Sequence, residues 1–462
     1  MKKIALFVAV CLLAAALAGC GGSNDPLDPK NPVTVTMWHN FGGVMKETID
    51  ALIDEFNNSI GRERGVIINV TSIGASKEQN EKLAMIAAGD PGAPDMPDIV
   101  TAYPAMALTL SDSGHLAELD GYFTERELAA YVPQFVAEGR LFPRRTGSGP
   151  EPSDGKLYVF PISKSTEALF VNKTLFDRFA AETGAALGTL STFEGLAKTA
   201  VQYYEWTDAR TPDVPDDGKA FFTADSWFNI AQVGTAQLGG EFVGAETLNT
   251  GAGAFGRIWD FSVYPAVTGG YAVTDGYSSD LSKTGDIVCS LGSTAGVLFY
   301  GDSVTYPDNT VESVEYVVLP YPVFEGGRSV ALQRGAGMVI ARSDPRREYA
   351  AVLFLKWFTA AEQNMRLVAQ TGYLPVTREA FEEKMAGEIE AVNNSVVKRL
   401  LETATRMYEE YDFIVAPNVD NFAALSGAYE ADIRQAMRIG RQQVLDGDDA
   451  DAVNGKLLEA FQ

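Results

Sequence analysis

Between Val33 and Thr101 the chain alternates β-branched runs with segments of helical period, and that alternation narrows the possible folds more than any other feature. Val33 to Trp38 (VTVTMW) has strand composition and breaks at His39-Asn40-Phe41-Gly42-Gly43. Val44, Thr48, Ile49, Leu52, Ile53 and Phe56 then recur at helical spacing, which places them on one face of a helix. The theme repeats as a strand over Val66 to Val70, a helix over Lys77 to Ala88 and a short strand over Asp98 to Thr101. Strands joined through helices pair in parallel, and the helices cover the faces of the sheet. The expected class is therefore α/β.

Further along, Leu157 to Pro161 and Ala168 to Val171 are short apolar strands around the polar insert Ile162-Ser163-Lys164-Ser165-Thr166-Glu167. Lys173 to Leu238 reads as mainly helical, interrupted by a turn-rich stretch from Thr207 to Gly218. Strand signals return at Ile287 to Ser290, Val314 to Leu319 and Gly337 to Ala341. Asp344-Pro345 supplies a helix cap and a first-turn proline, and the chain then reads as helical almost to its end. With 462 residues there is material for two compact bodies. The order of elements suggests two α/β lobes, the first from residues 33–163 with 286–342 and the second from 164–285 with 343–462. Crossings between them are expected near Ser163 to Thr166, Cys289 to Gly292 and Ala341 to Asp344. Clefts between lobes, at the carboxyl ends of strands, are where small ligands bind.

Composition removes several function classes. The formal charge is −24, which repels nucleic-acid backbones and anionic headgroups, and no basic run offsets it. Of three cysteines, Cys11 and Cys20 fall in the N-terminal apolar segment, so the folded body keeps only Cys289 and can form neither a disulfide framework nor a Cys-rich zinc site. Two histidines, His39 and His115, supply no zinc-protease motif and no persuasive hydrolase triad. Gly251, Gly253 and Gly256 match a dinucleotide fingerprint in spacing but follow no clean strand. The acidic cluster Asp446, Asp448, Asp449 and Asp451 lacks the spacing of a calcium loop and suits a helix start. No cofactor and no metal are expected.

At the N-terminus, Lys2 and Lys3 precede an apolar run from Ile4 to Leu17 that is short for a permanent span and reads as a secretory signal over residues 1–19. Its end, Leu17-Ala18-Gly19-Cys20, resembles the lipobox of bacterial lipoproteins. That resemblance implies a mature chain beginning at Cys20, whose thiol carries a diacylglyceryl group. Each buried acyl methylene is worth about 0.8 kcal/mol, so two or three chains would hold the protein at a membrane. Residues 20–32 end in GGSNDPLDPKNP, a composition that buries no core and serves as a flexible tether.

Five ordered segments are similar to the extracellular solute-binding proteins that feed ABC importers, the family of the maltose-binding and glycerol-3-phosphate-binding proteins. They are VTVTMWHNFGG from Val33, PDIVTAYPAMALTLSDSGHLAELDGY from Pro97, GKLYVFPISKSTEALFVNKTLFD from Gly155, GDIVCSLGSTAG from Gly285, and the run from Arg334 to Thr377 that contains GYLP. The resemblance implies a two-lobe fold of the type II periplasmic-binding-protein kind, each lobe a mixed sheet flanked by helices, with a hinge and a cleft between. It implies a monomer that captures a sugar, oligosaccharide or polyol phosphate on the periplasmic or extracellular side and delivers it to a permease, without chemistry. Carried over by position, Trp38, His39, Asn40 and Phe41 match the first cleft loop and Tyr103 the second. Ser165, Thr166 and Glu167 match the crossing strand, Ser293 and Thr294 the loop after the return, Arg334 and Gly335 an edge of the cleft, and Tyr373 a wall. Thr101-Ala102-Tyr103-Pro104 carries no carboxylate where the family places an acidic ligand.

The residue types point the same way. Sugars offer apolar C–H faces and rings of hydroxyls, which call for aromatic plates beside a few fixed polar groups. Trp38 with Asn40, and Trp227 with Asn229 and Asp225, pair an aromatic with polar residues at expected cleft loops. The rival expectation is a secreted glycoside hydrolase acting on the same sugars, since some pair among 61 acidic residues could face a cleft.

Overall fold

The computed structural model describes residues 25–462 apart from 75, 141–144, 147–148, 151–154, 252, 336 and 420. The expected signal over residues 1–19, the lipid-bearing Cys20 and the start of the tether lie outside the described residues. Among those described, no helix is long and apolar enough to cross a membrane.

The strands that frame the cleft are, in chain order, β1 (Val33–His39), β2 (Val66–Ser72), β3 (Ile99–Ala102), β4 (Val159–Pro161), β5 (Glu167–Asn172), β6 (Phe222–Ala224), β7 (Cys289–Ser293), β8 (Tyr316–Leu319), β9 (Val330–Leu332), β10 (Gly337–Ile340) and β11 (Asp412–Ile414). They form two mixed sheets. The first runs β2-β1-β3-β10-β4, with β1 parallel to β2 and β3 and with β10 antiparallel to both its neighbours. The second runs β8-β5-β7-β6, with β5 antiparallel to both neighbours and β6 parallel to β7. A parallel ladder of β9 and β11 stands apart.

Each sheet is covered on both faces, and the strands show why. On β1, Val33, Val35 and Met37 are buried against Ile49, Leu52, Ile53 and Phe56 of helix Gly43–Asn58 and against Phe354 of helix Pro345–Phe358. The opposite face packs Val100, Ala102 and Val339 against Leu83, Ala107 and Leu110. On β5 the alternation is complete, with Leu169 and Val171 in one core and Ala168 and Phe170 in the other. Asp344 caps helix Pro345–Phe358, accepting from the amides of Arg346 and Arg347 at 3.1 Å, and Asp449 caps helix Ala450–Phe461 in the same manner.

The expected division of the chain differs from the sheets in two places. Cys289 to Ser293 and Tyr316 to Leu319 are central and edge strands of the second sheet, although residues 286–342 were expected in the first lobe. Helix Pro345–Phe358 packs on the first sheet, although residues from 343 onward were expected in the second. Among the described residues of the returning segment, only Gly337 to Ile340 join the first sheet. Short apolar strands carry no mark of which sheet they enter, because both sheets bury both faces.

The crossings shift accordingly. The chain leaves the first sheet through Ile162 to Thr166, returns through Gln333 to Gly337, and leaves again after Val376, since helix Ser395–Glu410 packs on β8. These passes are stitched together. Ser165 and Arg334 exchange backbone hydrogen bonds at 3.0 and 2.7 Å, and Lys164 and Leu374 do the same at 3.1 and 2.6 Å. Asn364 binds the Ile162 carbonyl and accepts from the Val376 amide. Cys289 to Gly292 and Ala341 to Asp344, expected as crossings, lie inside the second sheet and at a helix start of the first.

Candidate functional site

The register of the two sheets brings one set of strand ends together. In the first, the carboxyl ends of β1 and β3 lie level with the start of β10, because Ala102 pairs with Gly337. In the second, the carboxyl ends of β6 and β7 lie level with the start of β5, because Glu167 pairs with Ser293 and Ala224 with Leu291. The crossing strands join these two edges, so Tyr103, Ser165, Glu167, Ser293 and Arg334 all sit where the sheets face each other.

Glu167 is the centre of the second-sheet edge. It is 2% exposed, and its Oε1 accepts from Asn229 Nδ2 at 2.6 Å and from Arg334 Nη1 at 2.8 Å. Burial pushes its pKa up, and the Arg334 charge together with the Asn229 bond works against that rise. Arg334 itself keeps 39% of its side chain exposed, so the guanidinium is anchored on one side and open on the other. The neighbouring Gly335 takes φ +103, and a Cβ there would stand 2.5 Å from the Ser163 carbonyl, so the close strand crossing requires glycine. Asp225, at the end of β6, accepts from the Ser278 amide at 2.9 Å, and a Cβ on Gly292 would stand 2.5 Å from its other oxygen.

Tyr373 is half-buried beside this group. Burial raises its hydroxyl to about 12, with Tyr103 adding to the rise and Arg334 opposing it. Tyr103 is 46% exposed and precedes helix Pro104–Asp112. Asn40 accepts from the Thr101 hydroxyl at 3.1 Å, while Gln79 donates to the Thr101 carbonyl at 2.6 Å, fixing the end of β3.

Other expected residues are enclosed. Trp227 is 1% exposed, packed on Phe222 and Tyr271 in the core of the second lobe, and cannot serve as a plate for a solute at the cleft. It is the first residue of helix Trp227–Gln237, so its neighbour Asn229 lies on a different side and reaches Glu167. His39 is fully buried: its Nδ1 accepts from the Phe41 amide at 3.2 Å, the proton-bearing Nε2 has no partner, and burial lowers its pKa. Strand alternation explains this, since Trp38, half-buried against the opposite helices, is one residue away and points to the other face. Phe41 stacks on the His39 ring at 5.6 Å between centroids. Thr166 and Thr294 are fully buried and bind each other across the crossing, Thr166 also donating to the Leu332 carbonyl at 2.9 Å. Ser293 caps the turn Thr294–Phe299.

Lys164 and Glu167, which flank Ser165 and Thr166, are both 2% exposed and bind separate partners. Lys164 Nζ is bound to Glu138 of helix Pro133–Gly139, whose carboxylate also accepts from Gln333 Nε2 at 2.6 Å. Glu138 and Gln333 carry no signal in the sequence that marks them out.

Residues 51–392 match the family described as bacterial extracellular solute-binding protein. Among solved structures, the cyclic α-maltosyl-1,6-maltose binding protein of Arthrobacter globiformis is similar at a TM-score of 0.68 and 19% identity, over 93% of this chain and 98% of that one. UgpB of Mycobacterium tuberculosis, solved with glycerophosphocholine, is similar at 0.63 and 17%, over 93% and 98%. The GacH receptor of Streptomyces glaucescens, solved without ligand and with acarbose, is similar at 0.62 and 18%, over 93% and 97%. These likenesses show a two-lobe fold of mixed sheets flanked by helices. No curated protein sequence matches the chain.

Proposed function

The chain belongs to the bacterial extracellular solute-binding protein family, and we propose that it captures a carbohydrate or polyol derivative in the cleft between its lobes and delivers it to the permease of an ABC importer. The observation that supports this reading is the Glu167–Arg334 pair at the crossing, its guanidinium partly open at the edge where β5 meets β7, with Tyr103 exposed after the end of β3. An anchored guanidinium with open donors and two phenol rings suit a hydroxylated solute with apolar C–H faces.

A solute touching both edges interacts more strongly with the closed arrangement and shifts the population toward it. The bending segments are Ile162 to Thr166, Gln333 to Gly337 and the stretch after Val376. Ser165, Glu167 and Arg334 hold the second-lobe side of the solute, and Tyr103, Tyr373, Asn40 and Trp38 the first-lobe side. The protein acts as a monomer tethered through acylated Cys20 and residues 20–32, facing the periplasm or the cell exterior. No bond is made or broken. The glycoside hydrolase alternative draws no support from the family or the structural neighbours, which are binding proteins, and the Glu167 carboxylate is taken up by Arg334 and Asn229.

A thermal-shift screen of sugars, polyols and their phosphates tests the reading, because a ligand at 100 times its dissociation constant adds about 2.7 kcal/mol of stability. Stoichiometric binding with the sugar recovered intact is expected. Catalytic turnover of an oligosaccharide would replace the transport reading with the hydrolase.

A further inference from the structure

Asn229 reaches Glu167 from the first turn of helix Trp227–Gln237, and that turn is held from far along the chain. Ser226 caps the helix, its Oγ accepting from the Asn229 amide at 3.1 Å. The Ser226 hydroxyl donates in turn to Glu430 Oε1 at 2.7 Å, and the same oxygen accepts from the Phe228 amide at 2.9 Å. Ser226 and Glu430 together satisfy two of the amides that a helix leaves unpaired in its first turn. Both bonds fix the backbone from which the Asn229 side chain extends.

Glu430 is built to hold this turn still. It lies on helix Phe422–Leu445, whose Tyr429, Ile433 and Met437 are buried in the core of the second lobe. Its second oxygen stands 2.9 Å from Arg434 Nη1, and the two side chains are 17% and 16% exposed. The adjacent cation offsets the cost of keeping a largely buried carboxylate charged, and a negative charge near a helix N-terminus is favoured by the helix dipole. One capping residue suffices to start a helix, and Ser226 supplies it. An acceptor brought in across 204 positions, with its own arginine, restrains a turn that is already capped.

Resting on the transport reading above, we propose that Glu430 is a positioning residue of the solute site. It acts in series. Glu430 orients the Ser226 hydroxyl and the Phe228 amide, these set where Asn229 meets Glu167, and Glu167, shared between Asn229 and Arg334, anchors the guanidinium. Glu430 itself touches no solute. What it governs is how firmly Arg334 is aimed.

Glu167 reports on this relay without any solute, so the test stands apart from the transport reading. Its carboxyl is faced by Arg334, Asn229, Asp225 and Tyr321. The Asn229 bond favours the charged form, so losing it moves the Glu167 titration to higher pH, whereas removing only the negative charge of Glu430 moves it to lower pH. The two effects have opposite signs.

The experiment is a carbon-13 titration of the purified protein labelled at its glutamate carboxyls, with Glu167→Gln identifying the signal. Asn229→Ala is expected to move the titration upward and to set the full size of that move. Glu430→Leu is expected to move it upward too, and to add nothing when combined with Asn229→Ala. Glu430→Gln, which keeps an oxygen acceptor and drops the charge, is expected to stay at or below the wild-type value. An unmoved titration in Asn229→Ala or in folded Glu430→Leu overturns the proposal, as does a Gln variant raised as far as the Leu variant. Where Glu430→Leu does not fold, Ser226→Ala decides, an upward move supporting the relay and an unchanged titration overturning it. For maltotriose or glycerophosphocholine, whichever the wild type binds, Glu430→Leu is expected to bind about tenfold more weakly and Glu430→Gln within about twofold of wild type. Equal affinity in all three overturns the positioning role and leaves the transport reading intact.

Discussion

The two crossing strands carry two carboxylate clamps, and the clamps differ in one respect. Glu138 holds Lys164 and Gln333 in a sealed setting, with the paired side chains 3% and 7% exposed. Glu167 holds Arg334 and Asn229, and there the carboxylate is 3% exposed while the cation is 39% exposed. A sealed pair is satisfied wholly by the protein and so can only fix where the strands lie. A half-open pair leaves donors unspent and can respond to what enters the gap. The same two crossings therefore have a fixed side and a responsive side, with Gln333 and Arg334 adjacent in one and Lys164 and Glu167 three positions apart in the other.

The largest expected effect breaks the sealed clamp. Lys164→Met leaves Glu138 charged and buried with only Gln333, which should cost about 3–5 kcal/mol in urea unfolding. A loss below about 1 kcal/mol, the scale of exposed pairs, would show that Glu138 is not sealed.

Arg334→Met tests the open clamp. It should weaken solute binding by about 1–3 kcal/mol in titration, the range of a charge-assisted hydrogen bond. Its cost in stability should stay below that of Lys164→Met, because the cation is partly solvated and the raised pKa of Glu167 lets the stranded carboxyl take up a proton. Reversal of that order, with stability lost and affinity kept, would make the two clamps equivalent.

Glu167→Gln sharpens the comparison through pH. Burial raises the Glu167 pKa above 4.5, so the native state keeps this proton at pH values where the unfolded state has released it. Wild type should then lose stability relative to the Gln variant as the pH rises through 4.5 and beyond toward the folded value. Parallel curves of unfolding midpoint against pH would show that the carboxylate is not desolvated.

The smallest effect belongs to His39, away from both clamps. Burial lowers its pKa from 6.5, so its contribution is present above 6.5 and is lost as the pH falls below that value. His39→Asn should flatten the mild decline between neutral pH and pH 5–6; a decline that survives the substitution must come from another group.

Much of the scaffold is readable from residues. Val33 to His39 shows its strand by β-branching, helix Gly43–Asn58 shows its apolar face at Ile49, Leu52, Ile53 and Phe56, and Asp344-Pro345 announces the helix it caps. What the residues do not show is which sheet a short strand joins. Cys289 to Ser293 and Gly337 to Ile340 are both short and neither carries a full period of alternation, yet they end in different sheets. The site is legible to a similar depth. Glu167 and Arg334, both named by position, bind each other at the crossing, whereas Trp227 is misplaced because composition does not tell a plate from a core tryptophan. Phe222 to Ala224 and Asp412 to Ile414, three residues each, are too short for any period to stand out from the helices around them.

One feature of the first sheet bears on how the chain is made. β10 fills the space between β3 and β4 but is synthesised long after both, once most strands of the other sheet have emerged. Until then β3 and β4 present bare edges with unpaired amides and carbonyls, and the N-terminal half has no finished core to lock. A nascent chain built in this order cannot complete its first sheet until Ile340 has been made, so the body that forms first in sequence closes last.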